Sequence, residues 1–320
     1  MQAQSLQNEM KNLNKQLNLR ASARKMEIEK TQELGLCLGV RRAIKLLKEA
    51  ANKYGEIETL GPVAHNHQLV EELAKVGVKL INRLAEVQGK ILAITTHGTS
   101  PELLSQIESH HIHIIDTTCP IVRKAQNAAK ELDEAGFDAI IFGEAEHSEV
   151  KGLLGWARGK GIAALNVRQI DTSFLSLRAE APSEAKRQQS NLYRLGIISQ
   201  TTQTQPAFTQ FATQLIATIG SKIKEVRIVN TLCQATQKRQ EAAIRLAKKS
   251  QLMIVIGGYN SANTRRLAEV CSPIVETHLI ERAGEISDSW LMGKQRIGIT
   301  AGASTPDEAI EEVIAKLKSL

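Results

Sequence analysis

The chain is predicted to be an α/β protein of three small parallel-sheet units related by pseudo-threefold symmetry, on three observations. Three cysteines, Cys37, Cys119 and Cys233, each head a basic, helix-like segment. A polar landmark follows each cysteine at the same distance of 28 residues (37 to 65, 119 to 147, 233 to 261). A strand-like run then leads in each unit to a polar turn and a proline, Pro101, Pro206 or Pro306. Recurrence of three landmarks at matched spacing is the signature of an internal repeat, and coincidence is a weak explanation for it.

The cysteine segments read Cys37-Leu-Gly-Val-Arg-Arg-Ala, Cys119-Pro-Ile-Val-Arg-Lys-Ala and Cys233-Gln-Ala-Thr-Gln-Lys-Arg, with Arg42, Lys124 and Lys238 five places after each cysteine. The second landmarks are Gly-Pro-Val-Ala-His65-Asn66, Gly-Glu-Ala-Glu-His147-Ser-Glu149 and Gly-Gly-Tyr-Asn-Ser261-Ala-Asn263. Two of them follow apolar, strand-sized runs, Asp138–Phe142 and Leu252–Ile256, and all precede amphipathic helical stretches such as Gln68–Lys75 and Thr264–Val270. The third landmarks follow strand-like Ile91–Thr95, Leu195–Ser199 and Arg296–Thr300. They hold His97, Thr201-Thr202 and Ser304, and each proline is expected to open a helix that a nearby Ser or Thr caps. Alternation of strands and helices, with polar residues at the strand-to-helix turns, places a ligand site beyond the carboxyl ends of the strands, where the turns converge.

This reading divides the chain into a polar extension, 1–25, and three α/β units, 26–118, 119–232 and 233–320, with a polar inserted loop at 171–191. The extension is neither arginine-rich nor serine-rich, so it is read as an extension and not as a transit peptide. No apolar run reaches membrane-spanning length and no apolar segment follows the N-terminus as in a signal peptide, so a cytoplasmic setting is expected. Nothing marks a long apolar interface stripe, and the expected state is a monomer. The net charge of +7 favours an acidic partner. Aromatics make up only 3 % and are not interleaved with basic runs, which argues against a nucleic-acid stacking surface.

Four cysteines without a C-x-x-C pair, in a chain this long, indicate a reducing compartment rather than a disulfide scaffold. A free cysteine is most often a small buried hydrophobe, and Cys271, outside the repeat, is read that way. Three at equivalent positions, at helix N-termini that stabilise thiolates, point to a metal or an iron–sulfur cluster. Residue types alone leave zinc and iron–sulfur both open. Three ligands to a four-iron cubane would leave one iron open to substrate. The turn residues His65, His97, His147, Thr201, Ser261, Asn263 and Ser304 form a set of imidazoles, hydroxyls and amides suited to cradling phosphate or diphosphate. No Walker-type loop is present. Glu149, an acid in that setting, is either a proton donor with a raised pKa or a solvent-facing residue stabilised by its helix dipole.

These residues together resemble the LytB/IspH family of 4-hydroxy-3-methylbut-2-enyl diphosphate reductases. The motifs are Gly-Leu-Cys37-Leu-Gly-Val, His65-Asn66, His97-Gly, Asp-Thr-Thr-Cys119-Pro, His147-Ser-Glu149-Val, Ser-Gln-Thr201-Thr202, Cys233 with Arg239-Gln240-Glu241, Asn260-Ser261-Ala262-Asn263 and Thr300-Ala-Gly-Ala-Ser304, spread over about Leu34 to Leu317. The resemblance implies a trefoil of three α/β domains around one 4Fe–4S cluster held by Cys37, Cys119 and Cys233, with one iron open. It implies diphosphate binding by His65, His97, His147, Ser261, Asn263 and Ser304. Thr201 and Glu149 would sit near the substrate hydroxyl, Glu149 relaying protons. The implied reaction removes that hydroxyl reductively, giving isopentenyl and dimethylallyl diphosphate, with electrons from a ferredoxin or flavodoxin. The chain departs from the family in carrying Ala262 where serine is usual and Ser148 where proline is common, and in a longer 171–191 segment. The rival readings are a cluster lyase of quinolinate-synthase type, for which arginines would be expected in the turns, and a zinc-stabilised nucleic-acid-binding module.

Overall fold

In the computed structural model, which describes residues 26–158, 161–170 and 193–320, twelve strands form three four-stranded sheets, every pairing parallel. The expected extension at 1–25 and insert at 171–191 lie outside the described residues. In chain order the elements are β1 (Glu27–Lys30), α1 (Leu38–Tyr54), β2 (Ile57–Leu60), α2 (His67–Lys75), β3 (Val78–Ile81), β4 (Ile91–Ile94), α3 (Pro101–Ser109) and β5 (His113–Asp116). Then follow α4 (Pro120–Glu134), β6 (Asp138–Phe142), α5 (Ser148–Trp156), β7 (Gly161–Ala164), β8 (Tyr193–Ser199), α6 (Gln205–Ile219) and β9 (Ile223–Ile228). The last are α7 (Gln234–Ala247), β10 (Leu252–Ile256), α8 (Ala262–Cys271), β11 (Thr277–Ile280), α9 (Asp288–Leu291), β12 (Arg296–Ala301) and α10 (Asp307–Ser319).

The three expected parallel-sheet units are present. Their sheets run β3-β2-β4-β5, β7-β6-β8-β9 and β11-β10-β12-β1. The third order corrects the expectation that residues 26–118 form one unit, because β1 pairs with β12, Glu27 opposite Arg296 through Lys30 opposite Ile299. Among the described residues no strand follows β12, and β1 takes the fourth position of that sheet. The repeat thereby closes into a ring: each cysteine follows the fourth strand of one sheet and heads a helix that packs on the next.

Each sheet is covered on both faces, which is why the inner strands β4, β6 and β10 read as apolar runs, whereas edge strands such as β1 and β9 carry charged residues. In the second unit Ile140 and Ile197 face α6 through Phe208, Phe211 and Leu215, while Ile141 and Ile198 face α4 and α5 through Leu132 and Leu153. In the first, α1 buries Val40, Ala43, Leu47 and Ala50 against Ile57 and Leu69. In the third, Ile254 and Ile299 meet Ile310, Val313 and Leu317 on one face, and Met253 and Val255 meet Leu246 and Leu267 on the other. Each fully buried leucine or isoleucine contributes about 1.5–3 kcal/mol relative to an exposed one.

Two of the three prolines behave as expected. Pro101 opens α3 with Ser100 accepting from the Leu103 N–H, and Pro206 lies in the first turn of α6 with Thr204 accepting from the Ala207 N–H. Pro306 instead occupies the N-cap of α10 without a side-chain cap; the neighbouring Thr305 hydroxyl donates to the Ile256 carbonyl and joins β10 to that turn. No helix among the described residues is long and apolar enough to cross a membrane.

Candidate active site

The carboxyl ends of the strands meet around one central cavity of about 110 Å³. Its wall carries all the candidate ligand, substrate and proton-transfer residues named from the sequence: Cys37, Cys119 and Cys233; His65, His97 and His147; Ser261, Asn263 and Ser304; and Glu149 with Thr201.

The cysteines occupy the N-caps of α1, α4 and α7. Each is tied to the polar turn of the preceding sheet by the same bond. Cys119 N–H donates to the Thr96 carbonyl at 3.0 Å, Cys233 N–H to Thr201 at 2.9 Å, and Cys37 N–H to Ala303 at 2.9 Å. The helix start that carries a thiol and the turn that carries His97, Thr201 or Ser304 are therefore set against each other three times over. Arg239, which the sequence reading did not place, adds a clamp. It is buried, and its guanidinium donates to the carbonyls of Glu33, Gly35 and Ala301, joining α7, the loop before Cys37 and the end of β12. Burial lowers its pKa, against the opposing pull of Cys37, Glu33 and Cys233.

Helix N-termini were expected to favour the thiolates. At Cys119 burial wins and raises the pKa, although the Ile121 and Val122 N–H groups act in the expected direction. Desolvation of a thiolate outweighs two peptide dipoles there. A group that supplies positive charge would hold the Cys119 sulfur ionised against that burial. The packing leaves room for one: a Cβ built on Gly39 would lie 2.7 Å from Cys119 Sγ and 3.8 Å from Cys37 Sγ, so glycine keeps the space between the thiols open. Three sulfurs from three units, facing one cavity through such a gap, fit an iron–sulfur cluster.

The histidines form a second cluster on the wall. Ring centroids are 4.8 Å apart for His65–His97, 5.4 Å for His97–His147 and 5.8 Å for His65–His147, and one nitrogen from each lies within 4.8 Å of the others. His147 caps α5, its Nδ1 accepting from the Glu149 N–H at 3.2 Å, so the neutral ring carries its proton on Nε2. Burial, then the neighbouring rings, hold His97 well below its ordinary pKa. Burial, then His65 and Arg265, hold His147 at about 4; burial and Arg265 lower His65. An anion among three such imidazoles would favour their charged forms and raise these pKa values.

Across from them, Asn263 is buried with both amide atoms lacking a hydrogen-bond partner, and the Thr202 hydroxyl is likewise unpartnered. Buried polar atoms without partners cost about 1–3 kcal/mol each, and a bound ligand is the usual remedy. The Ser261 hydroxyl also caps α8 by accepting from the Thr264 N–H. Ala262, at the first position of that helix, lines the cavity with a methyl group.

The solvent-facing reading of Glu149 is excluded by its burial: the residue is 2 % exposed. Burial raises its pKa to about 7 even though the Thr201 N–H and hydroxyl both donate to it. Other wall residues escaped the sequence reading. Val40, Val122 and Thr236 share one register, three places after each cysteine, and that spacing was the signal that could have found them. Thr96 lines the cavity too, and its hydroxyl ties the end of β4 to the turn before His65 through the Val63 carbonyl.

Comparison with known proteins places this geometry. The family described as "LytB protein" matches residues 28–318. A protein named 4-hydroxy-3-methylbut-2-enyl diphosphate reductase from Dehalococcoides mccartyi (strain CBDB1) is 42 % identical over 295 residues, 92 % of this chain and 99 % of that one. Its namesake from Geobacter metallireducens is 38 % identical over 296 residues, covering 92 % and 98 %. A solved structure of (E)-4-hydroxy-3-methyl-but-2-enyl diphosphate reductase, described as the terminal enzyme of the non-mevalonate pathway, aligns with a TM-score of 0.64 at 34 % identity, covering 92 % of this chain and all of that one. The corresponding Plasmodium falciparum structure, at 23 % identity and a TM-score of 0.79, covers 91 % and 87 % and has the same fold.

Proposed function

The chain belongs to the LytB protein family, and on that premise we propose that its central cavity is where 4-hydroxy-3-methylbut-2-enyl diphosphate loses its hydroxyl. The protein is an iron–sulfur oxidoreductase of the terminal step of the non-mevalonate isoprenoid pathway. The reading of the cavity rests on one observation above the rest: a fully buried carboxyl, Glu149, stands with Thr201 on the same wall as three thiols and three neutral imidazoles.

In this reading Cys37, Cys119 and Cys233 hold a 4Fe–4S cluster. Bound there, the cluster supplies single electrons and one iron site open to the substrate oxygen. The chain's own groups do the rest. His65, His97 and His147 take up the diphosphate, gaining protons as its charge approaches. Asn263, Ser261 and Ser304 donate to the remaining oxygens, and Asn263 gains the partners it lacks. The diphosphate thereby fixes the far end of a short substrate and directs the hydroxyl toward Thr201. The Thr201 hydroxyl bridges that oxygen and Glu149. A carboxyl with a pKa of about 7 is partly protonated at neutral pH and hands its proton to the departing oxygen. Two electrons and two protons convert the alcohol into water and the product hydrocarbon, isopentenyl or dimethylallyl diphosphate. An acidic ferredoxin or flavodoxin is the proposed donor, acting on a monomer in the cytoplasm.

The test is anaerobic reconstitution with iron and sulfide, then consumption of the diphosphate with a reduced viologen dye. Turnover in the unmodified protein, lost in Glu149→Gln with the cluster spectrum intact, is expected. A cluster-bearing protein that leaves the diphosphate untouched would reject the substrate and bring the lyase reading forward.

A further inference from the structure

Arg239 is the one buried arginine or lysine among the described residues, 4 % exposed. A buried charge is costly unless it is paired. Less deeply placed arginines of this chain have carboxylates: Arg266 pairs with Glu144 and Glu269, Arg194 with Glu225 and Arg123 with Asp116. Among the described residues Arg239 has no such partner. Its hydrogen bonds go to neutral acceptors, the carbonyls of Glu33 at 2.9 Å and Ala301 at 3.0 Å through Nη1 and of Gly35 at 3.1 Å through Nη2. Glu33 offers it a backbone oxygen and is itself exposed.

The threefold repeat makes that charge an exception. The sixth residue after each cysteine is Ala43, Ala125 and Arg239 in turn. Ala43 and Ala125 are fully buried and belong to the apolar packing around Leu47 and Leu132. The same place in the fold is filled twice by a methyl group and once by a permanent cation. The three carbonyls call for N–H donors, and they leave a full positive charge only partly compensated. What the guanidinium shares its surroundings with is the cysteines. Arg239 lines a second cavity, of about 390 Å³, together with Cys37, Cys119 and Cys233. Side chains on a helix lean toward its N-terminus, so from the second turn of α7 this one reaches back toward the end headed by Cys233. Both Cys37 and Cys233 act on its charge in the stabilising direction.

We propose that Arg239 sets how readily the cluster is reduced, its fixed charge beside Cys37 and Cys233 compensating the negative charge of the thiolate-held group and raising its reduction potential. The proposal rests on the iron–sulfur reading of the three cysteines. Three thiolates give a 4Fe–4S cubane a net negative charge, and each electron taken from the one-electron donor adds one more. A cation held in buried surroundings favours the more negative, reduced form, and net charge is one of the determinants of cluster potential. Arg239 acts through the cluster and is a positioning residue in the reaction. A guanidinium keeps its proton throughout the working pH range, so its contribution does not vary with pH.

The test is a potentiometric titration of the cluster-loaded protein, followed by the electron paramagnetic resonance signal of the reduced cluster, with iron content measured alongside. R239Q removes the charge and R239K keeps it, while both give up the forked donor set. In R239Q the one-electron reduction equilibrium is expected to shift at least about tenfold toward the oxidised form, a midpoint about 59 mV lower. R239K is expected to stay within about threefold of the unmodified protein. An unchanged midpoint in R239Q would overturn the proposal, and so would equal falls in both variants, which would leave Arg239 a clamp alone. Loss of the cluster in R239Q with full loading in R239K would support it, because the charge separates the two; loss in both would overturn it. An unmodified protein that takes up no iron–sulfur cluster would overturn the cluster reading instead, and the tuning role with it.

Discussion

Thr201 meets Glu149 twice: its N–H donates to one carboxyl oxygen at 2.6 Å and its hydroxyl to the other at 2.9 Å. The carbonyl of the same residue accepts from the Cys233 N–H. One residue thus connects the proton-bearing carboxyl to a cysteine-headed helix. Replacing Glu149 with glutamine preserves the shape and removes the proton, and turnover is expected to fall at least about 100-fold. In the unmodified protein the carboxyl is loaded below a pH of about 7, so kcat is expected to decline as pH rises through that value. A flat kcat profile from pH 6 to 8.5 would count against Glu149 as the proton donor.

Stability carries the same signature. The folded chain binds the Glu149 proton more tightly than the unfolded chain, where the ordinary value is 4.5. The stabilisation is therefore complete below about pH 4.5 and is lost as pH rises toward and through 7, on the order of 3 kcal/mol. Thermal unfolding of Glu149→Gln should lack that decline between pH 5 and 7.5. Parallel curves for the two proteins would show that the carboxyl is not desolvated in solution.

The imidazoles work in the opposite direction. With their pKa values held low, the free protein loses stability as pH falls below about 6.5 toward about 4 for His147. Burial is the main cause of the depression, and a diphosphate among the rings opposes it by attracting the charged form, so binding is expected to take up protons. Calorimetric titration in two buffers of different ionisation enthalpy measures that uptake; identical heats in both would contradict it.

Ala262 presents a methyl to the cavity where a hydroxyl could reach an anion. Ala262→Ser adds one donor, and a hydrogen bond to a charged oxygen contributes about 1.5–3 kcal/mol. KM for the diphosphate should fall roughly tenfold or more with kcat little changed. An unchanged or higher KM would mean that the chain already satisfies those oxygens.

Gly39→Ala is expected to lower the iron content of reconstituted protein, because the added methyl would stand 2.7 Å from Cys119 Sγ. Far-UV circular dichroism should remain that of the unmodified chain. Full iron loading in this variant would show that Cys119 can turn aside without losing its role.

Much of this protein was legible in one dimension. Two of the units' central strands follow from buried apolar runs, Asp138–Phe142 and Leu252–Ile256 being β6 and β10 residue for residue, while the equivalent β2 (Ile57–Leu60), with its Glu and Thr, gave no such signal. The cysteines, histidines and Glu149 stood out because the repeat spacing recurs along the chain. The wall positions Val40, Val122 and Thr236 used the same spacing but carry no reactive group, so nothing drew attention to them.

The sequence by itself determined the threefold repeat, the elements that build it and the donors gathered at its centre, because these depend on neighbours a few residues apart. Only the tertiary structure decided that β1 completes the third sheet, and that Arg239 holds the carbonyls of Glu33 and Gly35, 206 and 204 residues away. It also decided that burial outweighs the helix start at Cys119 and lifts Glu149 to about 7. A pKa and a sheet edge are set by what surrounds a group in space, and those surroundings are assembled from parts of the chain that lie far from it in sequence.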